Sequence, residues 1–251
     1  MRRRFDRRVC LSTLVEERQR LEDIAGHFSM KDGFNGYMNK YRVSKILELC
    51  RGDSVLDLGS ADVFMAEALS PFFMQIVSVD GSKELIERAR ARLGKDTNIT
   101  LVHSLIEEFD TSQRFDLVLL SFILEHVVDP VAVAAKALTF AKPGGAMLVM
   151  VPNARSLHRR VGVALGLLSK VDDFSEEDIR QGHRRVYTEE RLCDELKQAG
   201  AIVETSGTFF IKPLSNPQME QLGTKVADAF FEVSRDLPGL GSMIFVKCVS
   251  G

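Results

Sequence analysis

The chain has 251 residues, 45% of them apolar and 27% charged, with a formal net charge of −2. These proportions are those of one sizeable globular domain with its own core, and the near-neutral balance offers no global attraction to nucleic acid. Its four cysteines, Cys10, Cys50, Cys193 and Cys248, are widely spaced with no CxxC or Cys/His pairing, which fits reduced thiols better than a disulfide frame or zinc site.

No run approaches the ~20 apolar residues of a membrane span, and the start lacks the apolar core of a signal peptide, so a cytoplasmic location is expected. Arg2, Arg3, Arg4, Arg7 and Arg8 read as a solvated terminus rather than a phosphate- or membrane-contacting arm. Residues 9–25 and 37–50 read as amphipathic helices, with Tyr37, Tyr41, Ile46 and Leu49 recurring along one face of the second. Gly33 and Gly36 are expected to break the chain between them. From residue 54 short apolar runs alternate with helical stretches. Residues 54–58, 75–80, 99–103, 115–121 and 146–151 read as strands, with helices over 63–70, 82–93 and 130–141. This alternation predicts βαβ units in a parallel sheet with helices on both faces. Pro143-Gly144-Gly145 reads as the turn that introduces the fifth strand. Residues 153–187 show no strand pattern and carry many charges around the apolar run 161–168, which is expected to bury when the site is filled. Thr188 and Gly200 bound a helix over 188–199. Strands over 201–210 and 242–249 follow, separated by a helical insertion. The whole is expected to be one domain, 1–251, with an N-terminal helical segment 1–50 and helical cap insertions 153–187 and 208–240.

The first strand and its turn read Val55-Leu56-Asp57-Leu58-Gly59-Ser60-Ala61-Asp62-Val63. An apolar strand entering a small-residue turn and then a helix lets backbone approach a nucleotide-like ligand at the carboxyl ends of the strands. The second strand ends in Asp80, 23 residues beyond Asp57, close to the separation of about 20 at which an acidic residue meets a ribose hydroxyl pair. Asp80-Gly81-Ser82 also reads as a helix cap, and the two roles are compatible. Ala61 and Phe64 stand where a dinucleotide fingerprint needs glycines, and no GxxxxGK[ST] occurs. A ligand with a ribose and no phosphate is therefore preferred.

In these motifs the chain resembles the class I S-adenosylmethionine-dependent methyltransferases. Residues 55–59 resemble that family's first motif and 77–82 its ribose-binding acidic strand end. FDLVLLSFILEHVVDP, residues 115–130, resembles its fourth strand and following LEHxxDP stretch, and residues 142–145 its KPGG turn. The likeness runs from about Tyr37 to Phe210. It implies S-adenosylmethionine as cofactor and an α/β, Rossmann-like seven-stranded sheet of order 3-2-1-4-5-7-6, the last strand antiparallel, with helices on both faces. Residues 182–187 with 188–200 are similar to the small-molecule branch that includes ubiquinone and sugar O-methyltransferases. By the family pattern Asp57, Gly59, Ser60, Ala61, Asp80 and Gly81 hold the cofactor. The adenine lies near 81–85, read by Ser104 and the Leu105 amide, and Ser121 faces the methionine portion. Tyr37 and Tyr41 either fold over the cofactor or pack in the core. The family turn D-x-G-x-G-x-G is altered at Ala61 and Val63. Ala61 is a modest change where φ is negative; Val63 either adds bulk beside the methionine portion or simply begins the helix.

Methyl transfer to a hydroxyl needs positioning and a base with a pKa near neutrality. His126, just past the fourth strand, and His183, at the end of the cap, are the candidates. Their alternatives are a loop-bonded imidazole and a surface cap. His27, His103 and His158 read as structural or solvated. Some relatives bind a divalent metal through E-x-x-E-H plus a distant histidine; here Phe122 takes the first position, leaving at most Glu125, His126 and His183, and no metal is expected. The expected activity is methylation of a hydroxyl on a small polar metabolite, a sugar or natural-product intermediate, ahead of an amine or carboxylate. The expected partner is that small-molecule acceptor, with no nucleic acid and no membrane; a homodimer is compatible. Two alternatives are a nucleotide-binding oxidoreductase, disfavoured by the missing glycines, and a non-catalytic S-adenosylmethionine-fold binding or regulatory protein, motivated by the altered turn.

Overall fold

The computed structural model describes residues 7–25, 34–94 and 97–250. Helices α1 (Arg7–Ala25) and α2 (Phe34–Leu49) precede β1 (Ser54–Leu58), α3 (Phe64–Leu69), β2 (Gln75–Asp80), α4 (Lys83–Arg92) and β3 (Ile99–His103). Then come β4 (Phe115–Ser121), α5 (Pro130–Leu138), β5 (Ala141–Pro152), α6 (Leu157–Ala164) and α7 (Glu176–Arg180). The last elements are α8 (Glu189–Gln198), β6 (Ala201–Phe209), α9 (Asn216–Leu222), α10 (Thr224–Val233) and β7 (Met243–Ser250).

The strands form one sheet in the expected order, β3-β2-β1-β4-β5-β7-β6. Strands β1 to β5 pair in parallel, and β7 lies antiparallel between β5 and β6. Alternate residues feed two cores. Leu56, Val118, Leu120, Met147 and Val149 join one cluster with Val133, Ala137, Leu192 and Leu196 of α5 and α8. Val55, Leu117, Leu119, Leu148 and Met150 join the other with Tyr41, Ile46, Met65, Leu69 and Phe231 of α2, α3 and α10. Because both faces are covered, the central strands read as continuous apolar runs rather than as alternating ones. Capping residues fix where helices leave the sheet: Ser82 Oγ accepts from Leu85 N–H at 3.2 Å, Asp129 Oδ1 from Ala132 N–H at 3.0 Å, and Thr188 Oγ1 from Arg191 N–H at 3.3 Å. Parallel strands point their carboxyl ends to one edge, and the loops after β1, β2, β4 and β5 gather there.

Two expectations need correction. Gly36 lies inside α2 and breaks nothing, while Gly33 lies outside the described residues. The Pro143–Gly145 segment is a bulge within β5, not a turn before it: Ala141 already pairs with Phe115, and Ala146 pairs with Leu117. A Cβ on Gly145 would fall 2.9 Å from the Phe115 carbonyl oxygen, so glycine permits this approach of two backbones. Within 153–187, α6 ends inside the apolar run, leaving Leu165 69% and Leu167 75% exposed. Arg2, Arg3, Arg4 and His27, and the side chains of Arg7, Arg8 and Cys10, lie outside what the structure describes. Cys50, Cys193 and Cys248 are free thiols. Among the described residues no helix is long and apolar enough to cross a membrane.

Candidate functional site

The turn after β1 is built on β2. Gly59 and Ser60 N–H donate to the Val79 carbonyl at 2.8 and 3.1 Å, and Ala61 N–H donates to Asp80 Oδ2 at 2.7 Å. The other Asp80 oxygen accepts from Ser82 N–H at 2.8 Å, so this side chain both pins the turn and leads into α4. Each carboxylate oxygen keeps a further lone pair for a ligand hydroxyl. Gly59 has φ 76°, and a Cβ there would lie 2.0 Å from Ile123 Cδ1. Asp57 Oδ2 and Ser60 Oγ are buried and have no partner. Burial, and then the neighbouring Asp80 charge, push the Asp57 pKa up to about 7; burial likewise raises Asp80 to about 6. A cationic ligand would relieve that repulsion.

Ala61 has φ 49° and Val63 φ 55°, so the turn keeps a left-handed backbone where glycines are absent, contrary to the negative φ under which Ala61 is a modest change. Val63 is the N-cap residue of α3 and is fully buried in the second core cluster, which resolves its two readings in favour of a helix start.

Between β2 and α4, a Cβ on Gly81 would meet Leu21 Cδ1 at 2.6 Å and Leu105 Cδ2 at 2.7 Å. Ser104 N–H donates to the Asp80 carbonyl at 2.9 Å, its Oγ donates to the Leu105 carbonyl at 2.9 Å, and His103 Nε2 lies 3.1 Å from the Gly81 carbonyl. From α1, Glu22 accepts from Ser82 Oγ at 2.8 Å and Lys83 N–H at 2.6 Å. Burial opposes its charge, but these bonds hold the Glu22 carboxyl below its usual range. Gly81, Ser104 and Leu105 are therefore neighbours. Tyr37 is 38% exposed with its ring edge-on to Phe34 at 6.1 Å. Tyr41 stacks on Phe210 and Phe231 at 4.6 and 4.8 Å and donates to Asp228 Oδ1 at 2.8 Å, the core-packing alternative.

Beyond Ser121 the chain turns at Phe122, φ 62°, into the segment carrying Glu125 and His126. The His126 and His183 rings, distant in sequence, lie 4.8 Å apart at 78°. His183 Nδ1 is 2.9 Å from Asp178 Oδ1. Asp178 Oδ2 also accepts from Arg159 Nη1 at 2.9 Å, Ser175 N–H at 2.8 Å and Ser175 Oγ at 2.6 Å. Although burial opposes ionisation, these donors hold the Asp178 carboxyl far below its ordinary range. An ionised Asp178 accepts the Nδ1 proton, which assigns His183 Nε2 as the basic nitrogen; that nitrogen is buried without a partner. Glu125 is 1% exposed, neither of its oxygens is hydrogen-bonded, and burial raises its pKa to about 7. Burial, then the charges of His183 and Arg20, push His126 down to about 3 and keep it neutral. Ligand atoms of Glu125, His126 and His183 all lie within 4.8 Å of one another; these are the residues left of the E-x-x-E-H-plus-histidine pattern once Phe122 takes its first position, where no metal was expected.

Sequence reasoning found His126 and His183, named Glu125 only as a remnant of a metal pattern, and missed Asp178. The Ser175–Asp178 capping box, five residues before His183, was a legible signal for Asp178. It also missed Arg42, Lys212 and the environment of His158, whose Nδ1 is buried without a partner.

A family model described as a methyltransferase domain matches residues 34–206. A ubiquinone biosynthesis O-methyltransferase of Vibrio vulnificus (strain YJ016) is 32% identical over 126 residues, 49% of this chain and 53% of that protein. The chain thus spans about half the length of the curated relatives it matches. An S-adenosylmethionine-dependent methyltransferase from Clostridium acetobutylicum ATCC 824 superposes with TM-score 0.57 at 14% identity, covering 96% of this chain and 100% of that one. The N-methyltransferase NodS from Bradyrhizobium japonicum WM9, in complex with S-adenosyl-L-homocysteine, gives TM-score 0.54 at 16% identity over 87% and 89% of the two chains. At such identities the likeness to solved structures is one of fold.

Proposed function

We propose, on the premise that this chain belongs to the methyltransferase-domain family and has the class I S-adenosylmethionine-dependent fold, that it methylates a hydroxyl of a small polar acceptor. S-adenosylmethionine, when bound, supplies an electrophilic methyl group on a sulfonium. The residues present fit it: the Gly59 cradle and the partnerless Asp57 Oδ2 and Ser60 Oγ are suited to its cationic methionine end, with Ala61 and Ser121 beside them. Asp80 would take the ribose hydroxyls, and Gly81, Ser104 and Leu105 the adenine, with Tyr37 covering the cofactor from α2.

The observation that carries the reading is His183, whose Nδ1 is held by Asp178 while Nε2 stands free beside Glu125 and His126 just past β4. That geometry orients the imidazole to take the proton of an attacking hydroxyl through Nε2, with Asp178 stabilising the imidazolium that forms. The cap, 153–187, would cover the acceptor and exclude water. A sugar or natural-product intermediate is the preferred acceptor class, and the O-methyltransferase name of the curated relatives supports a hydroxyl over an amine.

The test is release of S-adenosylhomocysteine with a panel of hydroxylated acceptors. Replacing His183 with Ala should lower turnover about 10²–10⁴-fold with little change in cofactor affinity, and replacing His126 should also lower it. Full turnover in both variants would remove the acid–base role; binding without turnover on any acceptor would favour a regulatory protein of the same fold.

The Glu125, His126 and His183 cluster favours a second reading, in which these three residues hold a divalent cation that lowers the acceptor hydroxyl's pKa. Chelator treatment followed by metal readdition separates the two: activity that survives chelation leaves His183 as the base.

A further inference from the structure

Among the described residues two cationic side chains whose charges reach this site, Arg42 and Lys212, form no ion pair. Arg42, on α2, is 4% exposed; its Nη1 donates to Asn39 Oδ1 at 2.9 Å, and its Nε has no partner. Its guanidinium carbon lies 3.7 Å from the centre of the Phe122 ring. Lys212, just beyond β6, is partly buried and donates from Nζ to Asn216 Oδ1 at 2.6 Å. Among the described residues neither has a carboxylate within the 4.0 Å of an ion pair. Lys212 instead feels the repulsion of both Arg42 and Arg159, and its charge reaches His158.

The acidic groups facing them are Glu125 for Arg42, and Glu177 and Asp178 for Lys212. Asp178 is already engaged by Arg159, Ser175 and His183. Glu125 stands off, with both oxygens unbonded. Burial is the leading cause that lowers Arg42 to about 10 and Lys212 to about 8. Enclosing two like charges without a partner costs stability, and a ligand of opposite sign recovers it.

We infer that Arg42 and Lys212 bind an anionic group, a carboxylate or a phosphate, carried by the methyl acceptor itself. The inference rests on the methyltransferase reading for where the acceptor lies. Phe122 directly follows Ser121, and Glu125 interacts with both Arg42 and His183, so an anion between the two cations sits beside a hydroxyl delivered to His183. The Arg42 fork offers paired donors for two oxygens, while Lys212 contributes a compact charge. A hydroxy acid or a hydroxylated phosphate ester satisfies both cations and the base together. A neutral sugar leaves the cations uncompensated.

The test uses the full chain, with and without S-adenosylhomocysteine, titrated calorimetrically with inorganic phosphate and, separately, with benzoate. One of the two should bind with one-to-one stoichiometry, and which one does distinguishes a phosphate from a carboxylate acceptor. Lys212→Gln should weaken that binding at least tenfold and Lys212→Arg should restore most of it, with S-adenosylhomocysteine affinity within twofold throughout. Arg42→Gln should behave like Lys212→Gln; should it fail to fold, the Lys212 pair decides alone. If S-adenosylhomocysteine binds but neither anion does, or if Lys212→Gln binds the anion as well as the unaltered chain, the inference is overturned and the methyltransferase reading stands. If S-adenosylhomocysteine does not bind, that reading fails, while the titrations made without it still decide whether the cation pair is an anion site.

Discussion

Val63 holds a left-handed backbone with a β-branched side chain, an arrangement that costs roughly 1–2 kcal/mol per residue and persists here because the side chain is fully buried. Alanine at 63 would retain the strain and lose two buried methyl groups. Glycine would lose slightly more burial but relieve the strain. We therefore expect Val63→Gly to melt no lower than Val63→Ala, the reverse of their usual order, with S-adenosylhomocysteine affinity unchanged in both. A glycine variant clearly less stable than the alanine one would mean that the turn is not held at positive φ. Asp57 offers a second residue-level check. Its pKa is raised to about 7 by burial and by Asp80, so near neutral pH part of the population is protonated. A cationic ligand stabilises the carboxylate and lowers that pKa, so binding should release protons between the bound and free values. Calorimetric enthalpies of S-adenosylmethionine binding at pH 7 should then vary with buffer ionisation enthalpy; no variation would contradict a carboxylate facing the sulfonium. Gly59 and Asp80 were legible in the sequence because their roles depend on local spacing. Arg42 and Asp178 were not, because what they do is set by contacts with segments far away in the chain.

At the level of elements, the lower edge of the sheet is stitched by one side chain. Asp116 Oδ2 accepts from Asp53 N–H, Ser54 N–H and Ser54 Oγ at 3.0, 3.0 and 2.7 Å, and both of its oxygens accept from Lys142 Nζ at 2.9 Å. One residue of β4 thus joins the start of β1 to the bulge in β5. Burial opposes its charge, but the bonds from Lys142, Ser54 and Asp53 hold its pKa down to about 2. A folded-state pKa below the unfolded value of ~3.9 contributes stability that is present above ~pH 4 and is lost as pH falls through the folded value. The stability difference between the unaltered chain and Asp116→Asn, about 1–3 kcal/mol at neutral pH for bonds to a charged group, should therefore shrink towards zero near pH 2 in denaturant titrations. A difference independent of pH would show that the bonds do not depend on the charge. Four strands have the limits read from sequence; β1, β2 and β4 are runs buried almost throughout, which announce themselves by composition, whereas the edge strand β3 is only partly buried. The early start of β5 was hidden, since pairing of Ala141 with Phe115 is a property of the assembled sheet rather than of the KPGG segment.

For the whole molecule, composition and alternation reached βαβ units and a parallel sheet, while the strand order came from the family resemblance; no local signal encodes which strands become neighbours. Nor did the sequence show what α1 does once folded. Glu22 binds the first turn of α4 beside Gly81, Glu17 pairs with Arg184 at 2.7 Å, and Arg20 donates to the Gly182 carbonyl at the end of the cap. One helix therefore touches both the turn between β2 and α4, where the nucleoside is proposed to lie, and the end of the 153–187 segment, so its detachment would open two doors at once. In kinetic terms such a clasp is expected to make product departure, rather than chemistry, the slow event of the cycle. A double replacement, Glu17→Gln with Glu22→Gln, should speed S-adenosylhomocysteine dissociation in stopped-flow measurements and raise kcat along with it. Faster dissociation with an unchanged kcat would put the slow step elsewhere; an unchanged dissociation rate would mean that the helix merely rests on the surface it covers.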